Sequence, residues 1–206
     1  TSTLTTTPAP PSTSTSTTPP STSTTTTTST STTTTTTTVP ALRSACREVV
    51  EIGDSTGVAL DALGEHLADV GVEVFWPDNS GGRSIVERLG PQRNAVEVAE
   101  AVRANGFDGC WILLLGTNDA ANVAAGSGVG LDERIERMMG VIRAQPVLWV
   151  NAATASVEPY YTPTDMQAFN DALARATFVY PNLRPYDWSA AVRPEWYTDD
   201  GIHYSA

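Results

Sequence analysis

The sequence predicts a three-layer α/β domain built on a mostly parallel sheet. Three observations carry that expectation. Between residues 48 and 186, short apolar runs of strand length alternate with stretches whose apolar residues recur at helical spacing. Cys110-Trp111-Ile112-Leu113-Leu114-Leu115 is apolar without alternation, the pattern of a central parallel strand covered on both faces. Four polar or glycine-rich segments all fall just past strand ends, where open parallel sheets carry their function.

Glu48-Val49-Val50-Glu51-Ile52 reads as the first strand, followed by a helix through Leu60, Leu63, Leu67 and Val70. Val72-Glu73-Val74-Phe75-Trp76 is the second strand, ended by the loop signal Pro77-Asp78-Asn79-Ser80-Gly81-Gly82. A helix is expected over about 92–104, with Val96, Ala99 and Val102 facing inward. After the apolar strand at Cys110, a Gly/Ala-rich loop leads to a helix near 131–144, and 146–150 forms the fourth strand. Thr164 is a candidate cap for a helix carrying Met166, Phe169, Leu173 and Ala176. Leu183-Arg184-Pro185-Tyr186 is a weak fifth strand.

Residues 1–40 are almost wholly Thr, Ser and Pro, with Leu4 and Val39 the only sizeable apolar side chains. Such a tract buries too little surface to offset the entropy of ordering it, so a disordered linker or stalk is expected. Residues 41–206 form one domain-sized unit holding all 23 acidic and all 12 basic residues, every basic one an Arg. The net charge of -11 argues against nucleic acid and anionic membrane surfaces as partners. No stretch reaches the roughly 20 apolar residues of a membrane span. Because the chain begins with Thr, a leader or membrane-embedded region is expected upstream.

Cys46 lies nine residues before Ser55 and Cys110 eight before Asn118, each at the start of a strand. If those strands are neighbours, both cysteines sit at the same end of the sheet, away from the serine. A disulfide and two buried free thiols both remain open on this reading.

Gly53-Asp54-Ser55 follows the first strand, and Asp200-Gly201-Ile202-His203 closes the chain's chemistry. A serine at a strand-to-helix turn, and an aspartate three residues before a histidine, are the parts of a Ser-His-Asp charge system. Only two histidines exist; His66 stands mid-helix and reads as solvated, as does Asp199, which sits at the wrong spacing. Neither the cysteines nor the histidines have metal-ligand spacing, and no phosphate-binding glycine motif is present, so no cofactor is expected. Trp76, Tyr160, Tyr161, Trp196 and Tyr197 are candidates either for a sugar or acyl platform or for loop anchoring.

Taken in this order, Gly53-Asp54-Ser55, Gly116-Thr117-Asn118-Asp119 and Asp200-Gly201-Ile202-His203 resemble the blocks of the SGNH hydrolases, the GDSL esterase/lipase family. The glycine block is looser, with Gly82 the better match and Gly81 the alternative. The resemblance spans the region after the Thr tract and implies a flavodoxin-like, five-stranded α/β/α sheet. It implies Ser55 as nucleophile, His203 as general base, Asp200 as its orienting acid, and an oxyanion hole of Ser55 N–H, Gly82 N–H and the Asn118 amide. Relatives continue into a closing helix beyond the histidine. Its absence here predicts a partly uncovered sheet face and a loosely held histidine loop.

The expected function is hydrolysis of carboxyl esters through an acyl-enzyme, on O-acetyl or short acyl groups of cell-envelope carbohydrate, by an extracytoplasmic monomer. Two alternatives stand beside it. One is the acyl-transferring module tethered to a membrane acyltransferase domain; the other is a non-catalytic envelope-binding module.

Overall fold

Five strands pair in parallel throughout. They are β1 (Glu48–Gly53), β2 (Val74–Asn79), β3 (Cys110–Leu114), β4 (Val147–Val150) and β5 (Leu183–Tyr186), in the order β2-β1-β3-β4-β5. The computed structural model describes residues 43–58 and 63–205, so the Thr/Ser/Pro tract and Leu60 lie outside the described residues. The order is the doubly wound one expected: the chain leaves β1 for β2 on one side, then lays β3 on the other. Strand order reverses between β1 and β3, and the register pairs Gly53 with Leu114. The segments following these two strands therefore emerge side by side, at the crevice where such sheets bind ligands.

The unbroken apolar run of β3 serves two cores. Trp111 and Leu113 join Val50, Ile52 and Trp149 on one face, while Ile112 and Leu114 join Val49 on the other. On the second face α1 (Leu63–Asp69) packs Leu63 and Leu67. The first is covered by α2 (Ala95–Ala104), α3 (Thr117–Ala124), α4 (Leu131–Ile142) and α5 (Pro163–Ala176), which pack on one another. Each fully buried Leu or Ile here is worth about 1.5–3 kcal/mol of transfer free energy. Leu148 and Tyr186 of the second face are 41% and 48% exposed. With Ile112, Leu114, Val150 and Trp188 they line an apolar groove of about 230 Å³.

Four expectations need correction. β2 does not end at Trp76 but runs through Pro77 to Asn79, which is tolerated because β2 is an edge strand paired to β1 alone. Pro185 sits in the opposite edge, β5, so both rims of the sheet carry a residue that discourages further pairing. α2 begins at Ala95, not near 92, because Asn94 caps it in a reciprocal capping box with Glu97. Its fully buried residues are Ala95, Val98 and Ala99, with Val96 and Val102 packed at the margin. The cap of α5 is Thr162, boxed with Asp165 and followed by Pro163 at the first helical position, rather than Thr164.

The fourth correction is α3, which occupies part of the segment read as a Gly/Ala-rich loop. Ala120, Ala121 and Ala124 are strong helix formers, and the composition hid them behind the glycines that follow. Its N-cap, Gly116, has φ 137°, and a Cβ there would stand 2.4 Å from the Phe169 ring. Only glycine permits both the backbone angle and that close approach.

Cys46 and Cys110 are joined by a disulfide, with Cα atoms 5.8 Å apart. It ties the approach to β1 to the start of β3, at the rim opposite Ser55. No described helix is long and apolar enough to cross a membrane.

Candidate active site

Asp200 and His203 organise themselves locally. The Asp200 Oδ1 accepts the backbone N–H groups of Ile202 (2.8 Å) and His203 (3.0 Å) and the Thr198 hydroxyl (2.8 Å). Its Oδ2 lies 2.6 Å from His203 Nδ1. The His203 ring and those backbone donors hold the carboxyl well below the usual carboxylate range. The far side of the same ring places Nε2 2.9 Å from Ser55 Oγ, within reach for proton transfer. Ser55, His203 and Asp200 thus stand as one relay, in the arrangement that makes a serine hydroxyl nucleophilic.

Ser55 opens a turn in which Gly57 N–H and Val58 N–H bond back to Asp54 and Ser55 carbonyls. The residues directly behind that turn, 59–62, where a helix was expected to continue from Ser55, lie outside the described residues. Among the described residues, neither Ser55 N–H nor Gly82 N–H donates to a protein acceptor, as oxyanion donors require. Gly82 has φ 69° whereas Gly81 is unstrained, so the loop's geometry singles out the residue that the block pattern favoured.

The glycine loop is stitched to the serine turn. The buried Arg83 guanidinium donates to Gly53 O (3.2 Å), Asp78 O and Asp78 Oδ1 (2.7 Å). Asn79 Nδ2 donates to Glu51 Oε1 and to Gly57 O (3.1 Å). Asn118 reaches in from the start of α3, donating through Nδ2 to Arg83 O (3.1 Å) and Asp54 Oδ2 (3.3 Å). Asp54 also accepts the Thr56 backbone N–H and hydroxyl at 2.8 and 2.7 Å. Burial nevertheless pushes this fully buried carboxyl up to about 6.

Behind these donors lies a buried ionic network. Arg134, on α4, uses all five of its N–H donors: on Val129 O (3.0 Å), Ser127 Oγ (2.8 Å), Asp119 Oδ1 (2.8 Å) and both Glu87 oxygens. Asp119 Oδ1 also accepts the Ile85 N–H at 2.9 Å. The segment just after Gly82 is thereby fastened to the residue just after Asn118. Burial pushes Asp119 up to about 7 against the pull of Ile85 and Arg134. For Glu87 burial also pushes up, but hydrogen bonds from Arg134, Ser127 and Ser84 prevail and hold it near 2.

The histidine loop, expected to be loosely held, is anchored. Trp188 lies in the short helix α6 (Trp188–Ala191), and its Nε1–H donates to the Tyr204 hydroxyl at 2.6 Å. That hydroxyl in turn donates to Ala153 O at 3.2 Å. The Trp188 ring stacks on Trp196 at 5.7 Å and meets Tyr204 edge-on at 5.4 Å, with Tyr197 packed on Tyr204. Arg193 lies over the Trp196 ring. Trp196 and Tyr197 are therefore employed in holding the loop rather than offering free faces. Trp76 packs near Phe107, away from Ser55.

The structure brings together Ser55, Gly82, Asn118, Asp200 and His203, while His66 and Asp199 are exposed as expected. Sequence reasoning missed Glu87, Arg134 and Tyr204, and it named Asp54, Asp119 and Tyr161 without the contacts that they make here; Arg83 was likewise seen only as a neighbour of Gly82. One signal was available: Leu131, Ile135, Met138 and Ile142 define the inner face of α4, and Arg134 falls on it. A charge at such a position needs a buried partner. Among the described residues no group of His, Cys, Asp and Glu is placed to hold a metal ion.

No family model and no curated protein matches the chain. The fold recurs in solved structures of low identity. A lipase/acylhydrolase from Enterococcus faecalis is 20% identical with a TM-score of 0.62, over 77% of this chain and 87% of that one. A carbohydrate acetylesterase family member from Sinorhizobium meliloti is 16% identical with a TM-score of 0.60, over 77% and 89%. A psychrotrophic esterase from Pseudoalteromonas sp., in a structure inhibited by monoethylphosphonate, is 11% identical with a TM-score of 0.54, over 77% and 87%. The architecture is the one that the resemblance to SGNH hydrolases implied.

Proposed function

We propose that this chain is a serine esterase that cleaves carboxyl esters through an acyl-enzyme, acting on O-acetyl or other short acyl groups of cell-envelope carbohydrate outside the cytoplasm. The observation that carries the reading is the relay from Asp200 through His203 to Ser55, with bonds of 2.6 and 2.9 Å. The Ser55 hydroxyl attacks the ester carbonyl carbon and passes its proton to His203 Nε2. The carbonyl oxygen becomes an oxyanion that takes Ser55 N–H, Gly82 N–H and one Asn118 Nδ2–H, the last leaving its 3.3 Å bond to Asp54 Oδ2. Collapse expels the alcohol, which takes the proton back from His203. Water then repeats the cycle on the acyl-Ser55 ester, releasing the acid and restoring the hydroxyl.

Asp200 remains ionised throughout and stabilises the imidazolium. Each oxyanion donor is worth about 3 kcal/mol of transition-state stabilisation. The fold is shared with proteins described as an acylhydrolase and a carbohydrate acetylesterase, which supports the ester and the acetyl group. The disulfide supports an oxidising compartment, and the net charge of -11 is poorly suited to a nucleic-acid partner.

The test is incubation of the chain with p-nitrophenyl acetate and butyrate beside Ser55→Ala, together with labelling by a fluorophosphonate. Burst release and labelling that both vanish in Ser55→Ala are expected. Folded protein that neither turns over nor becomes labelled would overturn the esterase reading in favour of a binding module.

A further inference from the structure

We propose that Tyr161 is a positioning residue of the oxyanion hole, pinning the oxygen of the Asn118 carboxamide so that its NH₂ stays beside Ser55 and can turn to the adduct there. The inference rests on the esterase reading for its catalytic meaning. Tyr161 O–H donates to Asn118 Oδ1 at 3.4 Å, while the two Nδ2–H groups go to Arg83 O at 3.1 Å and Asp54 Oδ2 at 3.3 Å. A carboxamide has two near-isosteric orientations, and the partners on each side decide between them. The Arg83 carbonyl and the Asp54 carboxylate, which only accept here, set which end of the carboxamide carries the NH₂, while the Tyr161 hydroxyl pins the oxygen at the other end. Among the described residues no other donor reaches Oδ1.

The chain goes to some length to put that hydroxyl there. Tyr160 has φ 72°, a left-handed conformation that costs a bulky residue about 1–2 kcal/mol. It is held in place from both sides. The buried Thr154 hydroxyl donates to Tyr161 O at 2.6 Å, and Tyr161 N–H donates to Glu158 O at 3.1 Å. The next residue, Thr162, is the boxed cap of α5.

Asn170, on α5, grips the start of the same segment by exchanging two bonds with the Ala152 backbone, at 2.9 and 2.8 Å. This β4–α5 connection also touches the base. Ala155 N–H donates to Gly201 O at 2.7 Å, and Ala153 O accepts from Tyr204. One connection outside the four motif segments thus spans from the histidine loop to Asn118.

The experiment is a double-mutant cycle on the 206-residue chain, using p-nitrophenyl acetate. Tyr161→Phe removes one oxygen from a half-buried ring, and its unfolding midpoint should match that of the unaltered protein. It should lower kcat about tenfold, the worth of one ordinary hydrogen bond, with KM within about twofold. Asn118→Ala should lower kcat by about 100-fold. Adding Tyr161→Phe to Asn118→Ala should then change nothing further, because the group it positions is gone.

Equal losses in both backgrounds would overturn the proposal, since Tyr161 would then act on the substrate directly. An unchanged kcat in the single variant would overturn it too. A second readout does not depend on turnover: the side-chain amide resonances of Asn118 in ¹⁵N-labelled protein should move in Tyr161→Phe. If the unaltered chain is neither labelled nor active, the esterase reading fails by itself, and unmoved Asn118 resonances would separately reject the positioning role.

Discussion

Replacing Arg134 with Met removes a cation of similar length from a site that is 0% exposed. Two carboxylates lose their partner, and they respond differently because they are buried differently. Glu87 is 36% exposed and can regain water, so its return toward an ordinary pKa carries a discounted cost. Asp119 is 0% exposed, and its Oδ2 has no partner among the described residues. Breaking a buried pair from one side costs about 3–5 kcal/mol, and the lower figure applies here because Glu87 resolvates.

The pH dependence follows from Asp119. Its folded value is raised from 3.8 to about 7, so the native state keeps a proton that the unfolded chain has released. Stability from this group is full below 3.8 and is lost as pH rises toward 7, where the loss levels off. Without Arg134 the folded value climbs further, and the variant keeps losing about 1.4 kcal/mol per pH unit beyond that point. Urea unfolding followed by Trp fluorescence should give a deficit of about 3 kcal/mol at pH 7, widening by about 1 kcal/mol at pH 8. A deficit below about 1 kcal/mol, or one that stays level between pH 7 and 8, would refute the view that Arg134 sustains a buried Asp119.

Two further outcomes are expected. Replacing Cys46 and Cys110 together with Ser opens a loop of 64 residues, which should cost about 2–4 kcal/mol in the same unfolding assay. The kcat should be unchanged, because the bridge lies at the opposite rim; a large fall in kcat would show coupling to Ser55. Tyr204→Phe keeps the ring contacts but leaves the Trp188 N–H and Ala153 O without their partner. It should cost about 1–3 kcal/mol and lower kcat several-fold through a looser histidine loop, while an unaltered thermal midpoint would argue against the anchoring role.

The legible part of this molecule is the part encoded between near neighbours. The apolar run at Cys110, the helical spacing of Met166, Phe169, Leu173 and Ala176, and the weak β5 each name their own element. Boundaries were read less well where one residue outweighed the pattern. Pro77 resembled a strand end because edge position is invisible in one dimension, and α3 was masked by the glycines after it. Asn94 and Thr162 stood in plain sight as caps, yet helical spacing put the start of α2 near 92 and Thr164 competed with Thr162 as the cap of α5.

The candidate site divides along the same line. Asp200 and His203 are three residues apart, and one carboxylate folding back on two nearby N–H groups sets their geometry without outside help. That much the sequence determined by itself, along with the strand-end placement of Ser55, Gly82 and Asn118. Only the tertiary structure decided that His203 meets Ser55 across 148 positions, and that the two cysteines bond rather than remain thiols. It also decided that Arg134 faces Asp119 and that Tyr161 faces Asn118. Such meetings depend on strand order and register, which no local pattern specifies, because a residue's distant neighbours exist only once the sheet has closed around them.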